Sequence, residues 1–132
     1  MEFRLTFYLH LFPPAQFTAN TGNLEHALEL YRLGLTRFPG AFELLLGAAH
    51  VLRELRRPAE AEPYYRQAAA VRPGDLLSWS NLGAILHING KHRQAMEAYN
   101  RALAISPEDA ITRTNVAKLR AVMEGGVKNK ES

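Results

Sequence analysis

Histidine is the side chain best suited to hold a transition metal or to move a proton near neutral pH. This 132-residue chain has five, His10, His26, His50, His87 and His92. A protease-type zinc site needs two histidines one helical turn apart with a glutamate between them, and no HExxH run occurs. His87 and His92 lie five apart across Asn89-Gly90, which does not put them on one helix face. General acid–base work needs two carboxylates flanking one cleft, whereas Glu43, Glu54, Glu60, Glu62 and Glu97 are scattered. Ser78 and Ser80 flank Trp79 without the strand-to-helix elbow of a serine nucleophile. Gly125-Gly126 leads into a polar tail and is no phosphate loop. With no cysteine, thiol catalysis and cysteine metal sites are also absent from the repertoire. The sequence therefore predicts no catalytic residue, no metal and no cofactor, and the functional residues have to be sought on a binding surface.

Composition permits a packed core, with 47% apolar and 22% charged residues. Sixteen basic against 13 acidic residues give a net charge of +3. No clustered basic stripe accompanies it, so a nucleic-acid partner is not expected. Arg53, Arg56, Arg57 and Arg66 form the densest basic group and read as a solvated face. No stretch approaches the roughly 20 apolar residues of a membrane span, so this segment is expected to make no membrane contact itself. Phe3 to Phe12 is interrupted by Arg4, Thr6 and His10 and followed by Pro13-Pro14. It reads as an irregular or poor first helix over residues 1–20. The competing reading is a secretory leader with Ala15 or Ala19 near its cleavage point.

The elements that must position any binding surface announce themselves by a period. Pro39, Pro73 and Pro107 are spaced 34 apart, as are Ala27, Ala61 and Ala95, and Tyr31, Tyr65 and Tyr99. Gly34, Ala68 and Ala102 form a fourth column of small residues. Such a period is the mark of a repeat array. In the clearest unit a first helix runs from about Asp75 to His87 and ends at Asn89-Gly90. A second helix runs from about His92 to Ile105, its buried face carrying Ala95, Met96, Ala98, Tyr99, Ala102 and Leu103. Ser106 is expected to cap the next helix, with Pro107 at its first position. Pro63 falls early in the second helix of the preceding unit and predicts a late start or a kink there. The fold class is all-α, an α-solenoid of antiparallel helix pairs. It comprises a half repeat over 21–39, full repeats over 40–73 and 74–107, a capping helix over 108–124 and a flexible tail over 125–132. With an incomplete first unit, the chain reads as the end piece of a longer array.

The run Trp79, Leu82-Gly83, Leu86, Ala95, Tyr99, Pro107 resembles the tetratricopeptide repeat (TPR) signature, with Leu86 in place of the usual aromatic. Leu45, Ala48-Ala49, Leu52, Ala61, Tyr65 and Pro73 repeat it more weakly, and Arg56-Arg57-Pro58 replaces the glycine turn. A narrower likeness covers about Gly22 to Glu124. The run Ser80 to Lys91 and the tail Pro107 to Thr112, with Asn115, Lys118-Leu119 and Met123-Glu124, resemble the last repeats of the transmembrane and tetratricopeptide repeat-containing O-mannosyltransferases. Those are multi-spanning proteins of the endoplasmic reticulum whose acceptors include cadherins, with their repeats in the lumen. The resemblance implies a luminal location and a full-length relative that is an enzyme, while this segment binds a polypeptide, acceptor or complex subunit, and does no chemistry.

Successive first helices of such an array form a concave groove. Its expected lining is Glu43, Leu46, His50 and Arg53, then Leu77, Ser80, Asn81, Ala84 and His87, continued by Thr114 and Lys118 on the cap. Asn81 has two readings, a carboxamide bonded to an extended peptide backbone or one bonded to a neighbouring helix end. The alternative function is a stand-alone cytosolic adaptor or cochaperone. Such cochaperones grip a C-terminal carboxylate with Lys, Arg and Asn. Asn81 and Asn115 match, but the cationic positions read Leu77, Ser80, Ile111 and Thr114, leaving Lys118 alone.

Overall fold

The computed structural model describes residues 21–131, with side chains over 22–125. The expectations for residues 1–20, a poor first helix or a leader, lie outside the described residues. Every described element is a helix. The chain divides between Arg72 and Pro73 into two compact units. The first holds α1 (Thr21–Arg37), α2 (Phe42–Glu54) and α3 (Pro58–Val71); the second holds α4 (Leu76–Ile88), α5 (His92–Ile105) and α6 (Ala110–Glu131). In the first unit α2 packs against both α1 and α3; in the second, α4, α5 and α6 pack against one another.

The periodic columns are the buried ones. Tyr31, Tyr65 and Tyr99 are 2%, 0% and 1% exposed, and Ala27, Ala61, Ala95, Ala68 and Ala102 are buried with them. A second-helix tyrosine needs a neighbour that presents almost nothing. In the first unit, a Cβ added to Gly47 on α2 would overlap the Tyr31 ring of α1. In the second, a Cβ on Gly83 of α4 would lie 2.5 Å from Cδ1 and 2.6 Å from Cε1 of Tyr99 on α5. Close axial approach is thus set by glycine and filled by tyrosine. Trp79 is only half-buried, contrary to the core position its signature suggests. Its indole N–H donates to the Pro73 carbonyl at 2.7 Å, and the Arg101 guanidinium sits 4.8 Å from the ring centroid.

The two first-to-second-helix turns share one hydrogen-bond pattern. Gly90 N–H bonds the His87 carbonyl at 3.0 Å and Lys91 N–H the Leu86 carbonyl at 2.9 Å. Arg56 N–H bonds Arg53 and Arg57 N–H bonds Leu52 at 3.0 and 2.8 Å. Gly90 adopts φ 77° and Arg56, 34 residues earlier, φ 61°. Only the Arg56 turn therefore carries the left-handed penalty of a side chain, about 1–2 kcal/mol.

Three boundaries differ from expectation. α6 is capped by Asp109, not Ser106: Asp109 Oδ2 accepts the Thr112 N–H at 2.9 Å, while Ser106 belongs to the C-terminus of α5 and Pro107 to the turn. α3 starts at Pro58 and carries the exposed Pro63 inside it, with no late start. Proline at the first helical position costs nothing, since that N–H has no intrahelical partner. α6 runs through Gly125-Gly126 to Glu131, past the expected end at Glu124. Glycine lowers helix propensity by about 1 kcal/mol but sets no steric bar.

Three outcomes follow for stability in denaturant titrations. Gly83→Ala lowers unfolding free energy by about 1–3 kcal/mol, because the Tyr99 ring cannot move aside within a packed core. Gly74→Ala, whose new Cβ meets nothing within 4 Å, stays within about 0.5 kcal/mol of the parent. Arg56→Gly raises stability by about 1 kcal/mol through relief of the left-handed strain; an unchanged or lowered midpoint would contradict that account of the turn.

Candidate interaction surface

The first-helix face of the first unit is polar. α2 has no side-chain cap, since Ala41 holds the capping position. It turns Phe42, Leu44, Leu45, Ala48 and Leu52 inward, leaving Glu43, Leu46, His50 and Arg53 at alternating spacings of three and four. These four do not stand equally ready for a ligand. Glu43 Oε1 accepts from Arg72 at 2.9 Å, and the same guanidinium lies 3.9 Å above the Phe42 ring. Leu46 packs against the cluster of Phe42, Leu45 and Ala68. His50 Nδ1 is 2.7 Å from the hydroxyl of buried Tyr65, with the rings edge-to-face at 5.4 Å. Burial lowers the His50 pKa, and the nearby Arg53 charge lowers it further. Burial raises the Tyr65 pKa, with Arg53 opposing. Tyr31 is pushed up to about 12 by burial. Both tyrosines are therefore neutral at physiological pH.

Arg57 and Arg66 of the basic group are engaged elsewhere. Arg57 donates to Glu60 at 2.5 and 2.8 Å and to Glu25 at 3.3 Å. This bond holds the Glu60 carboxyl below its usual value. Arg66 pairs with Glu62 at 3.2 Å. A cavity of about 300 Å³ opens in the same unit beside Arg32, Pro39, Tyr64 and Gln67. None of the predicted surface residues lines it.

The corresponding face of the second unit is capped, and more apolar. Asp75 Oδ2 accepts from Ser78 N–H at 3.0 Å and Ser78 Oγ at 2.6 Å. Asp109 Oδ2 makes the same pair of bonds to Thr112, at 2.9 and 2.6 Å. The hydrogen bond from the Thr112 hydroxyl, then that from its N–H, depresses the Asp109 pKa. Asp75/Ser78 and Asp109/Thr112 are 34 apart, so the caps form a column at the same period as the prolines. Since Thr112 gives its hydroxyl proton to Asp109, Ser80 is the donor in its 3.1 Å bond to Thr112 Oγ1. Ser80 is thereby buried at 7% exposure and ties α4 to α6 rather than facing a partner.

Asn81, Ala84 and His87 are half-buried on α4, and Thr114 and Lys118 are exposed on α6. The largest exposed apolar groups among these first-helix positions are Leu77, 61% exposed, and Ile111, 69%. They occupy the same place in consecutive repeats, a relation that singles out Ile111 from the register alone. His87 and His92, on different helices, meet edge-to-face at 5.6 Å across the Gly90 turn. Among the described residues no group of three or more His, Asp or Glu side chains is placed to hold a metal. No helix there is long and apolar enough to cross a membrane.

Comparison with known proteins bears on this architecture. The tetratricopeptide repeat family profile matches residues 46–110. The human protein O-mannosyl-transferase TMTC2 is 47% identical over 77 residues, 58% of this chain and 9% of that protein. The chain thus spans about a tenth of the curated relatives it matches. The first TPR of Spaghetti (RPAP3), solved with the HSP90 peptide SRMEEVD, superposes with a TM-score of 0.72 at 22% identity, covering 78% of this chain and 82% of that one. A crystal structure of MamA gives 0.79 at 18% identity, covering 93% and 66%. The 34-residue columns, the buried tyrosines and these likenesses agree: residues 46–110 carry the tetratricopeptide repeat, within an all-α α-solenoid segment of the protein-interaction type.

Proposed function

We propose that this chain is a polypeptide-binding segment of an endoplasmic reticulum O-mannosyltransferase, holding an acceptor or partner chain on its luminal side while the transfer chemistry resides elsewhere in the protein. The observation that carries this reading is the 47% identity to human TMTC2 across two repeats, well above what the shared fold alone requires. The first-helix faces support binding without catalysis. They offer side chains for backbone and apolar contact, among them Asn81, Leu77 and Ile111, and they assemble no nucleophile–base pair.

The cytosolic cochaperone reading draws on the Spaghetti likeness. Here Leu77, Ser80, Ile111 and Thr114 stand where that class places cations, and Ser80 is already bonded to Thr112. Isothermal titration of the full chain separates the two. An extracellular cadherin repeat is expected to bind saturably. The peptide SRMEEVD is expected to bind no more tightly than about 1 mM, on the order of 4 kcal/mol. The double change Leu77→Asp and Ile111→Asp should weaken cadherin binding roughly tenfold or more while leaving the melting temperature unchanged, because both side chains are exposed. Micromolar binding of SRMEEVD, or cadherin affinity indifferent to the double change, would overturn the assignment.

A further inference from the structure

The polar centre of the α2 face has an order of its own. Tyr65 is fully buried, so its hydroxyl proton needs an acceptor. His50 Nδ1 lies 2.7 Å away. Arg53, which also bonds that hydroxyl, has only donors to offer, and Glu54 acts on it through its charge without a hydrogen bond. Tyr65 must therefore donate to Nδ1, which leaves the neutral imidazole with its proton on Nε2. Among the described residues, no buried side-chain nitrogen or oxygen lacks a partner. His50 Nε2 bonds none of them, so that N–H reaches solvent.

We propose that His50 is a specificity-determining contact of the interaction surface, presenting Nε2–H to an oxygen acceptor on an extended polypeptide, with Tyr65 as the positioning residue that fixes this tautomer. The inference rests on the polypeptide-binding reading above. Arg53 stands one turn along α2 with no carboxylate of the described residues in salt-bridge range. The recognised atom is thus flanked by a second donor, and a backbone carbonyl or a side-chain carboxylate satisfies both.

The arrangement depends on proton concentration in a defined direction. The groups that face the imidazole are Tyr65 from α3 and Arg53 from its own helix; from α1 the titratable side chain seated on α2 is Tyr31, against Gly47. The tyrosines are neutral and Arg53 is cationic; the Glu54 carboxylate acts on Tyr65, but burial and Arg53 set the direction at His50. An imidazolium would donate from both nitrogens, strip the Tyr65 proton of its acceptor and place a second cation beside Arg53. Because the folded pKa lies below the unfolded value of 6.5, the unfolded chain takes up this proton first. Stability from the pair is complete above pH 6.5 and declines as pH falls toward the folded value.

The test uses the full chain labelled with ¹⁵N in its histidines. Long-range ¹H–¹⁵N spectra at pH 7.5, assigned with His50→Gln, should show His50 as the Nε2–H tautomer, titrating below 6.5. Tyr65→Phe should mix the tautomers and raise that midpoint. In titrations with the cadherin repeat, His50→Gln should cost roughly five- to tenfold in affinity, the worth of one hydrogen bond. It should also remove the change in affinity that the parent shows as His50 takes up its proton below pH 6.5. An Nδ1–H tautomer, an imidazolium at neutral pH, or a pH profile unchanged by His50→Gln would each overturn the inference with cadherin binding intact. If Tyr65→Phe does not fold, the His50→Gln pair of measurements decides alone. Absence of any cadherin binding, with the tautomer as stated, defeats the polypeptide-binding reading and the recognition role of His50 together.

Discussion

A tyrosine ring pressed on a backbone with no side chain sets the spacing of this protein. Tyr31 covers Gly47 in one unit and Tyr99 covers Gly83 in the other, each ring lying where a single added methyl would collide with it. Glycine in a helix interior costs about 1 kcal/mol in propensity. The fully buried ring that replaces the missing side chain offsets this with a far larger apolar area, on the order of 150–250 Å² for an aromatic residue. Once helix axes are brought that close, the flanking positions have little freedom. Ala27, Ala61, Ala95, Ala68 and Ala102 are small because larger residues would hold the helices apart. The tyrosine and alanine columns restate this close packing every 34 residues, while Gly47 meets its tyrosine between repeats and Gly83 within one.

That restatement is why the fold was legible. Packing constraints act on residue type at fixed register, so Pro39, Pro73 and Pro107, or the three tyrosines, declare the helix pairs directly. Hydrogen-bond geometry is less visible because several residues can satisfy it. Ser106 is a good capping residue by type, yet Asp109 sits where the carboxylate meets the Thr112 N–H, and the same Asp-to-hydroxyl spacing at Asp75 and Ser78 was the available clue. The Arg56 turn was hidden for the opposite reason. Its residue type argues against left-handed backbone, and the surrounding hydrogen bonds impose φ 61° regardless.

The predicted surface was legible as a face and not as a set of chemical states. Helical spacing placed Glu43, Leu46, His50 and Arg53 together on α2. It could not say that Glu43 is bonded to Arg72, that Leu46 packs on a cluster containing Ala68 of α3, or that Tyr65 reaches His50 from that same helix. Ser80 has the right spacing for its face and is diverted by a hydroxyl on α6. Likewise, His87 and His92 violate single-helix spacing and still meet, because the Gly90 turn returns the chain beside itself. In each case the deciding partner lies on another helix, beyond the reach of one-helix periodicity.

The two units answer the same register with different chemistry, and this bears on how such a scaffold acquires specificity. At the place where the first unit has Glu43, already paired, the second has exposed Leu77 and then Ile111. Where the first unit has His50, half-buried against a tyrosine, the second has Ala84. Packing forbids variation at the tyrosine and alanine columns, but tolerates charged, apolar or small residues at these surface positions with little change in stability. A binding face built this way changes its partner without changing its fold. The likenesses at about 20% identity report the fold alone, whereas the 47% match shares more of the sequence over its 77 residues. Recognition in this chain therefore has to be argued from the variable positions, and the state of His50 shows that even one of these can be held in a particular hydrogen-bonding form by a residue of the invariant core.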